Sequence, residues 1–277
     1  MTISSRNRIL IGILAVSSIL AAGILAGGII TFLQTEFPIA LPPSVLRWIP
    51  ILDSFFLTPA SFIPAILSLL VFGIYTPAAL FFLYYQFEKT QAVEVIFFTG
   101  FLFACQLEGL RILIPLFGLE QTYPELLLTV CRVVFFARTF AILCFLFTSL
   151  FSASGLFQQA GKNIYFLIAV AILFSSLMPL NTERIASTFM VTYGYAHTYM
   201  IIRFVLFAVS ILAFIITGKH RGLTEYTKAA YAGVVLLLGY GLLICTDNWV
   251  FLGAGTLLLT VGSRFFMRYI HKYYLWQ

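Results

Sequence analysis

Charge is what this chain has least of: only 9% of its 277 residues are Asp, Glu, Lys or Arg, against about a quarter in soluble domains. That scarcity excludes an ordinary water-facing surface, which needs interspersed charge of both signs. Connecting sequence is short as well. The longest stretch between apolar runs, Gln34 to Pro59, is below the roughly 40 residues at which a domain folds without staples, so the expectation is one integral domain over residues 1–277. Cysteine is sparse: Cys105, Cys131, Cys144 and Cys245 lack the paired spacing of a disulfide framework or a zinc site. Catalytic signatures are missing too, with no His-Glu-x-x-His helix, no Gly-x-Ser-x-Gly elbow and no Gly-rich phosphate loop ending in Lys. Ser152-Ala153-Ser154-Gly155 has no His or Asp at a suggestive spacing and reads as a turn. A non-enzymatic protein with no metal and no cofactor is the expectation.

What is abundant is apolar sequence, 61% of the chain, gathered into eight runs of about the 20 residues that a helix needs to cross a bilayer. They extend from about Ile9 to Leu33, Ala60 to Tyr85, Ala92 to Phe117, Leu127 to Leu150, Asn163 to Leu180, Thr198 to Thr217, Ala229 to Cys245 and Trp249 to Met267. The runs are continuous, not alternating, which favours helices over barrel strands. The predicted fold class is therefore all-α, a polytopic transmembrane bundle of about eight spans whose partner is the lipid bilayer. Arg6 and Arg8 precede the first run, but its length exceeds a signal-peptide core and no clear cleavage site follows before Phe37, so it is read as a span.

The cations then orient the chain. With the N-terminus inside, Arg6, Arg8, Lys89, Lys162, Lys219, Arg221, Lys228, Arg264, Arg268 and Lys272 are cytoplasmic, and only Arg47 and Arg184 lie outside. The positive-inside rule thus predicts a cytoplasmic (inner) membrane protein with both termini cytoplasmic. The net charge of +6 is a topology signal; no basic stripe on a soluble surface points to nucleic acid.

The other four cations sit inside spans. Glu108 and Arg111 are three residues apart on the third run, Arg132 and Arg138 lie on the fourth and Arg203 on the sixth. By this topology Arg111, Arg132 and Arg203 stand five or six residues from the outer ends of their helices, roughly 8 Å deep at 1.5 Å per residue. His197 is near the same rim and Arg138 is deeper. A central Arg costs about 2.5 to 3.5 kcal/mol on insertion scales, so four uncompensated ones approach the order of 10 kcal/mol. Glu108, the only carboxylate well inside a run, neutralises about one. The excess calls for carbonyls, outer acids such as Glu120 and Glu125, or a bound anion, which the planar guanidinium fork suits. Glu108, Arg111, Arg132, Arg138, Arg203 and His197 are the candidate ligand-binding residues, with Arg111, Arg132 and Arg203 expected to converge. Arg132 and Arg138, about 120° apart around their helix, do not fit one compact pocket. Helix clamping by Glu108 with snorkelling of the remaining cations accounts for the same residues without a ligand.

Packing signals complete the pattern. Gly23 and Gly27, and six glycines between Gly233 and Gly262, allow close helix approach. Asp247-Asn248 makes a tight turn that joins the last two runs as a hairpin. Val45 to Ile49, set among prolines, reads as a short interfacial element, and Arg264, Arg268 and His271 or Lys272 form a basic face that anchors a helix end.

The segments Phe87-Glu88-Lys89-Thr90, Glu94-Val95-Ile96-Phe97-Phe98 and Glu108-Gly109-Leu110-Arg111 together resemble a stretch that recurs in uncharacterised multi-pass membrane proteins of spirochaetes. The arrangement is also similar, at a greater distance, to the seven-helix membrane modules of bacterial sensors, which a kinase or cyclase domain usually follows. This sequence departs from that pattern in running only a few residues past its last span, so the resemblance implies a sensor-like module that signals through a membrane or cytoplasmic protein partner. The resulting expectation is a receptor-like or accessory subunit that binds an anionic ligand or lipid headgroup in its outer half. The rivals are a transporter or channel for a small anion and a structural subunit of a membrane complex.

Overall fold

The computed structural model describes residues 3–33, 61–90, 92–119, 123–154, 160–220 and 222–275. The Val45–Ile49 element, Glu120, Gly155 and Arg221 lie outside them. Among the described residues the chain forms eight helices: α1 (Ile3–Leu33), α2 (Phe62–Phe87), α3 (Glu94–Phe117), α4 (Pro124–Ser154), α5 (Ala160–Leu177), α6 (Ala196–His220), α7 (Thr224–Ile244) and α8 (Trp249–Leu275). Seven are long and apolar enough to cross a bilayer, and the apolar part of α5, Gly161–Leu177, is shorter. They make an all-α bundle of the kind found in multi-pass membrane proteins, with Ile19, Leu33, Phe204 and Ile216 exposed on its outside, where lipid is the matching solvent. Each helix matches one apolar run. Several reach beyond it, because polar residues at an end continue the hydrogen-bonded helix after the apolar stretch has stopped. The largest extension is that of α8, two turns past Met267. Ser152 and Ser154, read as a turn from sequence, belong to the last turn of α4.

Arg6 and Tyr274, near the two chain termini, both meet the 87–94 region, so one end of the bundle holds both; we call it the terminal end. The opposite end holds a small antiparallel hairpin, β1 (Leu180–Ile185) and β2 (Val191–Tyr193), which no run of the sequence announced. Its register pairs Leu180 with Tyr193 and Ile185 with Val191, with an irregularity between Asn181 and Ile185. Ile185, Phe189, Met190 and Val191 are buried, and the ring of Phe189 lies 5.6 Å from that of Phe62 on α2. The hairpin therefore plugs this end of the bundle.

In lipid, apolar burial alone does not drive helices together, and close backbone packing takes over. The α7–α8 hairpin shows this: a Cβ on Gly239 would strike the backbone of Leu259, and one on Gly262 the backbone of Leu236. Asn248 starts α8 by accepting the Phe251 N–H at 2.8 Å. On α1 the close approach differs from the expected Gly23–Gly27 pair. Gly23 has open space, whereas Gly27 faces Ile112 and Leu116, and Gly28 faces Leu70. At the terminal end Arg6, 4% exposed, donates to the carbonyls of Phe87 (2.6 Å), Glu88 (3.3 Å) and Thr90, closing the C-terminus of α2. Between the ends, Phe98, Phe101, Phe145, Phe214 and Phe266 are buried with ring centroids 4.9 to 6.2 Å apart. This aromatic layer separates the polar residues of one end from those of the other.

Candidate functional site

The middle of α3 is not α-helical. Glu108–Ile112 form a 3-10 turn, placed where chemistry requires a break. Pro115 has no N–H for the carbonyl of Arg111, and its ring crowds that carbonyl. The neighbouring Gly109 lets α1 press in, since a Cβ there would lie 2.5 Å from Ile24 Cδ1. In a 3-10 turn side chains at i and i+3 eclipse, which stacks Arg111 over Glu108, with Arg111 Nη2 3.1 Å from Glu108 Oε2. From α4, Arg138 reaches the same carboxylate as a fork, Nε to Oε1 at 2.8 Å and Nη2 to Oε2 at 3.1 Å. Glu108 is 0%, Arg111 1% and Arg138 5% exposed.

Two guanidiniums on one carboxylate leave a formal excess of one positive charge. Backbone carbonyls take up part of it: Arg111 Nη1 donates to Thr188 O in the hairpin turn at 2.9 Å and to Ile244 O at 3.3 Å. Ile244 closes α7, so that carbonyl lies at the negative end of a helix dipole. The centre ties α3, α4, α7 and the hairpin together through one group. Among the described residues two donors of the centre have no hydrogen-bond acceptor, Arg111 Nη2, whose contact with Glu108 is an ion pair only, and the buried hydroxyl of Tyr240. The centre is richer in donors and positive charge than in acceptors.

Arg203 adjoins this centre through Tyr240. Its guanidinium lies 5.9 Å from the Tyr240 ring centroid and 5.7 Å from that of Phe207, and among the described residues it has no carboxylate partner. It borders a cleft of about 40 Å³ between α4, α5 and α6, where Thr139 and Tyr199 pair their hydroxyls at 3.3 Å. A space of that size admits a few water-sized groups.

The structure thus brings Glu108, Arg111 and Arg138 together and places Arg203 beside them. It does not bring in Arg132, and the expected convergence of Arg111, Arg132 and Arg203 is corrected. Arg132 is exposed on the far side of α4, and only its backbone carbonyl is engaged, accepting the Ser175 hydroxyl at 2.6 Å. The reason is angular, because six residues along a helix turn a side chain about 120° away from Arg138. Depth alone does not make neighbours. His197 is exposed in the first turn of α6. Glu108 is also not the sole buried carboxylate, since Asp247 is 0% and Glu94 3% exposed. Asp247 accepts the Ser187 hydroxyl at 3.2 Å, joining the α7–α8 turn to the hairpin.

Three features escaped the sequence reading. Gln106 exchanges hydrogen bonds with Ser17, Ser17 Oγ to Gln106 Oε1 and Gln106 Nε2 to Ser17 O, each at 2.6 Å; a lone Gln in an apolar run was the available signal. Tyr240 reads as one aromatic among many. Glu94 sits at the edge of its apolar run and looks exposed unless α8 is known to extend far enough to cover it.

No protein-family model matches the chain. A protein of Treponema pallidum, strain Nichols, described as an uncharacterized protein, is 25% identical over an alignment of length 263 that covers 76% of each chain. That similarity to a spirochaete protein extends over far more of the sequence than the segments between Phe87 and Arg111, and bears out the resemblance they carry.

Proposed function

We propose that this chain is a receptor-like or accessory membrane subunit, without enzymatic activity of its own, that holds a phosphate- or carboxylate-bearing group at Arg203. The single observation behind this reading is the state of that guanidinium, half-buried beside a small cleft, with only aromatic faces as partners among the described residues and a donor-rich centre behind it. Arg binds such anions through a planar fork that stays charged when desolvated. Glu108, Arg111 and Arg138 would fix the helices around the cleft instead of contacting the ligand. The ten-to-two division of cations supports a location in the cytoplasmic membrane with both termini inside and this site in the outer half. An impermeant thiol reagent on intact cells should then label a cysteine introduced at Ser44 and spare one at Gly222.

The test is native mass spectrometry of the full chain purified with phosphatidylglycerol and, separately, titrated with inorganic phosphate. Wild type is expected to retain one anionic group more firmly than Arg203→Gln, less so as salt rises, while Arg132→Gln behaves as wild type. Equal retention by wild type and Arg203→Gln would remove the basis of this reading.

A further inference from the structure

At the terminal end, on the other side of the aromatic layer from Arg203, Glu94 stands in the first turn of α3 and is 3% exposed. Its Oε2 accepts the Tyr274 hydroxyl at 2.6 Å and its Oε1 the Tyr226 hydroxyl at 3.5 Å. Ser152 on α4 lies beside it, and the rings of Tyr226 and Tyr273 close the space with centroids 4.6 Å apart. No cation faces it. On α7 and α8 the charged residues Glu225, Lys228, Arg264, Arg268 and Lys272 are toward the surface, where Lys272 and Glu225 pair at 3.6 Å. Glu88 and Lys89, after α2, are exposed. Arg6 on α1 is spent on the carbonyls of Phe87, Glu88 and Thr90, and His271 presents its ring to the edge of Phe87.

A carboxylate buried among hydroxyls and aromatic rings, with no cation to meet it, is costly, and such a group escapes the cost by keeping its proton. The N-terminal dipole of α3 favours the ionised form, but a first-turn dipole contribution is small beside the desolvation of an ion. The hydroxyls that donate to it also favour the ionised form, but less than burial disfavours it, and the Tyr226 hydroxyl, at 3.5 Å from Oε1, can turn to accept the O–H of the neutral acid while Tyr274 still donates. We infer that Glu94 is a proton-binding site, occupied at neutral pH, and that loss of its proton in alkali draws water to this end and loosens the last turn of α8 from α3. The carboxyl O–H bond is the one that breaks, and the proton passes to solvent.

Infrared spectroscopy of the full chain in lipid tests this directly. At neutral pH the spectrum should contain a protonated-carboxyl C=O band that is absent in Glu94→Gln and unchanged in Glu88→Gln, and it should fade as the pH is raised. Tyr274→Phe, which keeps the carboxyl and removes its donor, should shift the band and serves if Glu94→Gln does not fold. Tryptic cleavage after Lys272, taken relative to cleavage after Lys219, should rise several-fold in alkali for wild type and stay flat for Glu94→Gln. Absence of a band that responds to either variant would overturn the proton site. The same alkaline rise in Glu94→Gln would overturn the latch.

Discussion

Glu94 and Glu108 are the same residue on the same span, both nearly inaccessible, and they sit in opposite electrostatic settings. Glu108 is held by two guanidiniums, one supplied by its own 3-10 turn and one by α4; Glu94 is held by tyrosine hydroxyls. What separates them is the partner and not the burial. A buried carboxylate with cations is a fixed charge that clamps helices, and removing either side leaves an ion without its counterpart. A buried carboxyl with hydroxyls keeps the option of being neutral. The aromatic layer of Phe98, Phe101, Phe145, Phe214 and Phe266 lies between the two settings.

The comparison breaks most visibly if the two glutamines behave alike. Glu108→Gln should cost about 3 to 5 kcal/mol, because two buried guanidiniums lose their only carboxylate, and a melting curve in detergent should shift accordingly. Gln106→Leu should come next, at about 1 to 3 kcal/mol, since it strands the Ser17 hydroxyl and carbonyl without adding a buried charge. Glu94→Gln should cost about 1 kcal/mol or less on the same assay at neutral pH, as an amide replaces a neutral acid of nearly the same shape. The smallest effect belongs to Arg132→Gln, within about 0.5 kcal/mol, the range of surface substitutions without special contacts. A loss from Glu94→Gln as large as that from Glu108→Gln would mean that Glu94 is also a fixed charge.

Much of this was legible before any coordinates. Eight apolar runs became eight helices because lipid demands the same continuous apolar surface that composition records. The Glu108–Arg111 spacing pointed to a pair, and the excess of intramembrane Arg over carboxylate pointed to carbonyls or an anion. Three kinds of information were not legible. The choice of Arg138 over Arg132 depends on how α4 is rotated against α3, which depth along a helix does not encode. The hairpin around Phe189 consists of ordinary polar and apolar residues whose pairing appears only once the bundle end exists to receive them. Glu94 becomes buried because α8 continues as far as Tyr274, and the charged, aromatic sequence after Met267 gives no apolar signal that the helix goes on.

The central claim, that Glu108 is clamped by α4 through Arg138 and not through Arg132, is tested most directly by two double-mutant cycles on thermal or denaturant unfolding in detergent. Glu108→Gln combined with Arg138→Gln should show a coupling of about 1 to 3 kcal/mol, the double mutant being more stable than the sum of the single losses. Glu108→Gln combined with Arg132→Gln should be additive within about 0.5 kcal/mol. Additivity with Arg138, or a coupling with Arg132 of equal size, would contradict the account.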